Sequence, residues 1–221
     1  GFNRMTLKMF IGDTIKETLL GALLGIPLIA AVLWLMAEAG SLWWLWAWAL
    51  WSGFSLLVAF IYPTLIAPIF NKFTPLDDVV LADRIQELAN RCGFTLSGLF
   101  VMDGSKRSAH GNAYFTGFGR ARRIVFFDTL LARLTPNEII AVLAHELGHY
   151  KRNHIRKRLL VSFALSFAMF ALLGWVSTKV WFYTDLGVMP NLNGYNGGLA
   201  LALFMLVSPV FGFFFTPLSS L

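Results

Sequence analysis

The chain has 221 residues, 57% hydrophobic and 14% charged, with a mean hydropathy of +0.65, which excludes an ordinary soluble domain and points to a bilayer. A formal charge of +6 raises nucleic acid as a partner, but the basic residues sit beside long apolar runs and form no DNA- or RNA-binding signature. No nucleic acid is expected, and the membrane surface takes those charges.

Gly1 in place of Met, and an apolar run that continues through Leu221, predict a chain cut from a longer protein. No cleavable signal peptide is recognisable, because the first apolar run begins only near Leu19. Leu19 to Ala37 carries no charge and, at about 1.5 Å per residue, covers close to the hydrocarbon thickness, which makes it the first span. Ala39 to Phe70 makes a second span, tilted or kinked near Pro63 and Pro68. It holds Trp43, Trp44, Trp46, Trp48 and Trp51 near one end, where indole rings anchor at the headgroup boundary; an aromatic cofactor site is the alternative. Leu159 to Thr178 is the third span and Leu199 to Leu221 opens a truncated fourth, with an exposed turn at Asn191, Asn193, Gly194, Asn196, Gly197 and Gly198 between them.

If the first two spans form an out-and-back pair, all but Lys179 of the 18 Lys and Arg fall on one side, which the positive-inside rule assigns to the cytoplasm. The weight rests on Lys72, Lys151, Arg152, Arg156, Lys157 and Arg158, the residues close to the spans.

Within the polar segment, Thr74, Pro75 and Asp77 predict a helix start as N-cap, first-turn proline and acidic third position, and Gly93 predicts its stop. Cys92, the only cysteine, lies on the apolar stripe with Ile85, Leu88 and Ala89 and reads as a core residue; no intrachain disulfide is possible. Leu99 to Met102 suits a short buried strand. Asn112 to Thr116 and Ile124 to Phe127 flank a Gly117, Gly119 turn as a loose hairpin. Asp128 predicts the cap of a short helix through Leu134, and Thr135, Pro136, Asn137 and Glu138 a capping box for the next.

That next helix carries His145-Glu146-Leu147-Gly148-His149, a His-Glu-x-x-His motif. Residues four apart stack on one helix face, so both imidazoles can reach a single ion. Zn2+ suits imidazole and carboxylate donors with one position left open. Glu146 is rotated off the ligand face, placed to act as general base toward an attacking water and then to protonate the leaving amine. The alternative is an incidental histidine pair on a half-buried helix. A metzincin would add a histidine at 155 and a glycine at 152, where the sequence has Ile155 and Arg152. His154 points off the pair's face and reads as an interfacial cation. No glutamate follows Glu146, and Asp185 falls beyond the third span, so the third protein ligand is expected past Leu221.

These stretches resemble the type 1 CAAX prenyl protease family of membrane zinc metallopeptidases, in a bacterial form. The residues that carry the resemblance are Gly1 to Thr6, Ser108-Ala109-His110-Gly111-Asn112-Ala113-Tyr114-Phe115-Thr116-Gly117-Phe118, Arg123 to Leu131, and Glu138 to His154. The resemblance implies a mainly α, integral-membrane fold: four transmembrane helices with a small α+β, zincin-like cytoplasmic segment. Residues 1–70 would be the N-terminal membrane region, 71–158 the metallopeptidase segment and 159–221 a truncated transmembrane hairpin. It further implies His145 and His149 as zinc ligands, Glu146 as base, and an active site facing the cytoplasm, of the inner membrane in a bacterium. His110, Asn112, Ala113 and Tyr114 would belong to an edge strand that a polypeptide substrate joins, Asn112 bonding its backbone or the oxyanion. Turn or strand packing is the alternative for Asn112 and His110. The activity implied is hydrolysis of membrane-associated or CAAX-type lipid-modified polypeptides. The alternatives are a membrane quality-control protease and a non-catalytic, peptide-binding scaffold.

Overall fold

A computed structural model describes residues 3–117, 122–151, 154–192 and 194–219, with backbone alone for 146, 148–151, 154–156 and 211–219. The expectations for Phe118, Gly119, Arg152 and Asn193 lie outside the described residues, as do those for the side chains of Lys151, His154, Ile155 and Arg156. The fold is mainly helical and includes one small sheet.

Helix α1 spans Leu7–Glu38, starting well before the apolar run at Leu19. Thr6 accounts for the early start: its Oγ1 accepts from Met9 N at 3.3 Å and its carbonyl from Phe10 N at 2.9 Å, so the backbone is helical before the side chains turn apolar. A 3₁₀ turn at Gly40–Leu42 leads into α2, Trp43–Ile61. The expected kink takes the form of a π-helical turn, Tyr62–Ile66, followed by α3, Ala67–Phe70. Proline donates no amide hydrogen and crowds the preceding turn, and the wider π register absorbs both effects at Pro63 and Pro68. Leu7–Glu38, Gly40–Phe70 and Lys157–Val176 are long and apolar enough to cross a membrane. The last lies in α7, His154–Val176. After the short α8, Val180–Thr184, helix α9 covers Gly197–Ser219, where the fourth span was expected.

The chain divides into two compact units, Gly1–Leu20 with Leu56–His154, and Gly21–Ser55 with Ile155–Leu221. The second is built on an apolar cluster that includes Met36, Trp43, Ala47, Leu173, Tyr183 and Ala200. Here the tryptophans depart from expectation. Trp46 and Trp51 are exposed, as interfacial anchors would be, but Trp43 is buried, and Trp44 and Trp48 both pack edge-on against Phe167. Trp48 Nε1 donates to Ser166 Oγ at 3.2 Å and to Phe163 O at 3.3 Å. At about 100° per residue the five indoles spread over about 200° of the circumference of α2, so those facing α7 become packing residues, and the Trp48 N–H is satisfied inside the protein.

The first unit holds a four-stranded sheet in the order β1-β2-β4-β3. Its strands are β1, Phe73–Pro75, β2, Leu96–Met102, β3, Ala113–Thr116, and β4, Arg122–Phe127. β2 and β4 run parallel, and the other two pairings are antiparallel. Thr74 and Pro75, expected to open a helix, instead pair with Val101 and Phe100. A residue before proline is driven to extended backbone, and proline is tolerated on an edge strand. The cap falls to Asp78, whose Oδ1 accepts from Leu81 N at 2.9 Å, and α4 runs Val79–Arg91. It stops at Gly93, whose φ of 78° suits glycine. Gly93 N donates to Asn90 O and Phe94 N to Ala89 O, the two bonds of a Schellman ending. Cys92 is the half-buried C-cap, packed against the Ala89, Phe94, Leu147 cluster. Helix α5, Asp128–Leu131, follows β4 directly. Asp128 is the first residue of α5 and not its N-cap; its carboxylate accepts from Thr129 N and from Ser105 N, both at 2.8 Å, and from the Ser105 hydroxyl.

Candidate active site

Helix α6, Pro136–Lys151, begins with the expected capping box. Glu138 Oε2 accepts from Thr135 N at 2.7 Å and from Thr135 Oγ1 at 2.8 Å. These bonds hold the Glu138 carboxyl below its ordinary pKa. The helix buries Ile139, Leu143 and Leu147, none more than 2% exposed, against α4 and the inner face of the sheet, where Ala113, Phe115, Ile124 and Phe126 join the same clusters. Arg84 Nη2 donates to Asn137 Oδ1 at 2.8 Å and ties α4 to the start of α6.

The buried stripe fixes the rotation of α6. At about 100° per residue, positions 145 and 149 lie one turn apart on the side of the helix away from Leu143 and Leu147. His145 is exposed there. Position 146 falls between the two faces, and the backbone is helical through 151. The two imidazoles at 145 and 149 are donors that zinc accepts, and the carboxylate at 146 is the group beside them that could take a proton. Among the residues whose side chains are described, no three His, Cys, Asp or Glu groups converge as a metal cluster. The side chains of Glu146 and His149 fall outside that description.

The segment expected to meet substrate is an edge. β3 hydrogen-bonds to β4 on one side only. Asn112, just before it, is exposed and engaged locally. Its Oδ1 accepts from Ala113 N at 2.9 Å and its carbonyl from Phe127 N at 2.9 Å. His110 is exposed, its carbonyl accepts from buried Thr129 Oγ1 at 2.7 Å, and its amide donates to Ser108 Oγ at 3.1 Å. Strand alternation splits the expected residues between two faces. Ala113 lies on the α6 side with Phe115, whereas Tyr114 lies on the other face, edge-on to Phe127 with its hydroxyl 4.0 Å from Met102 Sδ. Burial raises the Tyr114 pKa, with Tyr62 adding to the rise.

What the sequence reading missed is the anchor of this edge. Arg107 Nη2 and Nε donate to Asp13 Oδ2 at 2.8 and 3.1 Å, Nη1 to Asn71 Oδ1 at 2.8 Å, and Nη2 also to the Phe70 carbonyl. Arg4 N donates to the Arg107 carbonyl at 3.0 Å, and Asn3 bridges Ser108. One guanidinium therefore joins α1, the end of α3 and the loop that leads into His110 and Asn112. The available signal was Asp13, an acid in the otherwise uncharged run Met9 to Ile15, three residues before Lys16.

Multiple apolar spans, a small mixed sheet and a helix bearing His-Glu-x-x-His define the class of multi-pass membrane metallopeptidases. Comparison with known proteins gives the family within that class. Residues 1–72 match the family described as CAAX prenyl protease N-terminal, five membrane helices, and residues 75–216 match Peptidase family M48. The chain is 46% identical over 171 residues to CAAX prenyl protease 1 homolog of Arabidopsis thaliana, covering 77% of this chain and 40% of that protein. It is 40% identical over 190 residues to CAAX prenyl protease 1 of Saccharomyces cerevisiae, covering 85% and 42%. Among solved structures it is similar to S. mikatae Ste24p, with a TM-score of 0.84 at 37% identity over 95% of this chain and 52% of that one. The chain belongs to peptidase family M48, among the CAAX prenyl proteases. It spans half or less of the length of the curated relatives it matches.

Proposed function

We propose that this chain carries the metal-binding helix of a zinc metalloendopeptidase acting on membrane-associated or CAAX-type lipid-modified polypeptides. The observation that carries the reading is the His145, Glu146, His149 helix, rotated by its own core stripe so that the histidine positions face away from the sheet. His145 and His149 would hold the ion. When bound, zinc supplies Lewis acidity to the scissile carbonyl and the attacking water. Glu146 takes the proton of that water and delivers it to the leaving amine. An extended peptide adds to the outer edge of β3, aligned by the backbone at Ala113, with Asn112 Nδ2 as a donor at its end. The concentration of Lys and Arg beside the spans supports a site on the cytoplasmic side.

The test uses the full-length protein in detergent with a farnesylated CAAX peptide, alongside casein. Glu146→Gln is expected to lower turnover by about 10²- to 10⁴-fold while zinc content by mass spectrometry stays at the wild-type level. His145→Ala is expected to lose both. Equal turnover by wild type and Glu146→Gln would remove Glu146 from the mechanism, and full zinc content in His145→Ala would remove His145 from the metal.

A further inference from the structure

Within the first unit, a cavity of about 310 Å³ lies between the outer face of the sheet and the π-helical turn at the end of the second span. Its size falls in the range of ligand pockets, about 300–1,000 Å³. Pro63, Pro68 and Phe100 supply apolar walls, and Tyr114, Thr116 and Arg123 the polar ones. Arg123 is half-buried, paired across the strands with Thr116 and stacked 5.4 Å over the Phe100 ring. Among the described residues no carboxylate lines the cavity, and Arg123 takes part in no ion pair with them. A guanidinium held by an aromatic face, with hydroxyls around it and no acid opposite, is a seat for an anion.

We infer that this cavity binds the headgroup of an anionic phospholipid, the phosphate on Arg123 and the glycerol and acyl portion against the prolines. Three observations favour lipid phosphate over free phosphate. Pro63, Thr64 and Pro68 belong to a helix long and apolar enough to cross the membrane, so a lipid can reach the cavity sideways from the bilayer. The volume exceeds what inorganic phosphate needs, and half of the wall has nothing to offer a bare anion. A basic pocket at the headgroup level of a spanning helix is where such lipids are recognised. The site lies on the sheet face away from α6, so it stands independently of the proposed hydrolase.

The full-length protein in detergent, titrated with phosphatidylglycerol, phosphatidylcholine or inorganic phosphate and observed by native mass spectrometry, tests it. One phosphatidylglycerol is expected per chain, bound about tenfold or more tighter than phosphatidylcholine. Arg123→Gln should lose about that factor, the worth of one charge-assisted contact, and Arg123→Lys should keep part of it. Thr64→Phe, which narrows the cavity without touching the charge, should also weaken binding, and it keeps the test decisive if Arg123→Gln fails to fold. Equal binding of the two lipids, no loss in either variant, or displacement of the lipid by millimolar inorganic phosphate would overturn the inference.

Discussion

Replacing Arg107 by methionine isolates the anchor of the β3 edge. The change removes both donors to Asp13 and those to Asn71 and the Phe70 carbonyl, leaving a carboxylate on a residue only 8% exposed. Removing one partner of a buried ion pair costs about 3–5 kcal/mol, since the remaining charge stays desolvated. Lys16 Nζ, 3.9 Å from Asp13 Oδ1 and half exposed, offsets at most about 1 kcal/mol of that. A net local cost near 3 kcal/mol corresponds to about a hundredfold faster amide exchange where opening is local. All eight tryptophans lie outside the first unit, so indole fluorescence would not report the change. Hydrogen exchange on peptides covering 104–117 would, with peptides from α9 as the unaffected control. Asp13→Asn with Arg107→Met should cost less than the two single changes together, by about 0.5–3 kcal/mol. Unchanged exchange in the single variant, or strict additivity in the double, would refute the role assigned to the pair.

Other substitutions probe the rest of the site's support. Leu143→Ala, at a position 1% exposed, should destabilise the first unit by about 2–5 kcal/mol, read as a lower midpoint in far-ultraviolet circular dichroism. Gly111→Ala would set a Cβ 3.2 Å from the Leu130 Cα; because that neighbour is backbone, a cost of about 1–3 kcal/mol and faster proteolysis between 108 and 112 are expected. Thr135→Ala should cost about 1 kcal/mol through the lost cap, measured as helix-start exchange in α6. Acid should have a related effect. The Glu138 carboxyl is lowered by its Thr135 bonds, and Asp103, raised by burial, is lowered overall by Lys106 and the Lys72 amide. A lowered folded-state pKa gives stability that is present above the unfolded value and lost as pH falls through the folded one. The first unit should therefore weaken below about pH 4, and Glu138→Gln should blunt that dependence.

Much of this architecture was legible because it rests on local patterns. Charge-free runs marked the spans, the Thr135 to Glu138 box marked the start of α6, and alternation around Gly117 marked the β3 and β4 hairpin. The errors arose where one residue had two plausible local roles and a long-range pairing decided between them. Thr74 and Pro75 fit a helix start as well as an edge strand, and only the partner strand at Phe100 and Val101 settles the choice. Asp128 fits an N-cap, but it stands one residue inside the helix, and Ser105, 23 residues earlier, shares its carboxylate with Thr129 N. The tryptophans of α2 read as one interfacial group because composition does not say which of them face α7. Arg107 stood in a polar loop with nothing nearby to mark it, and its partners are 94 and 36 residues away.

The same reasoning explains why the rotation of the motif helix follows from its own sequence. Ile139, Leu143 and Leu147 repeat every four residues, and so do His145 and His149, with the two series offset by two positions. At about 100° per residue that offset is 200° around the axis, so burying one series turns the other outward whatever the rest of the fold does. Core positions and the proposed metal positions are thus specified by one local pattern, and changes to Leu143 or Leu147 act on the orientation of the histidines through the rotation of α6. The β3 edge, where a peptide is proposed to add, has no such internal reference. Its position depends on β4, on Gly111 against Leu130, and on Arg107 reaching α1, which is why those residues are the ones to change when asking what aligns a peptide with the helix.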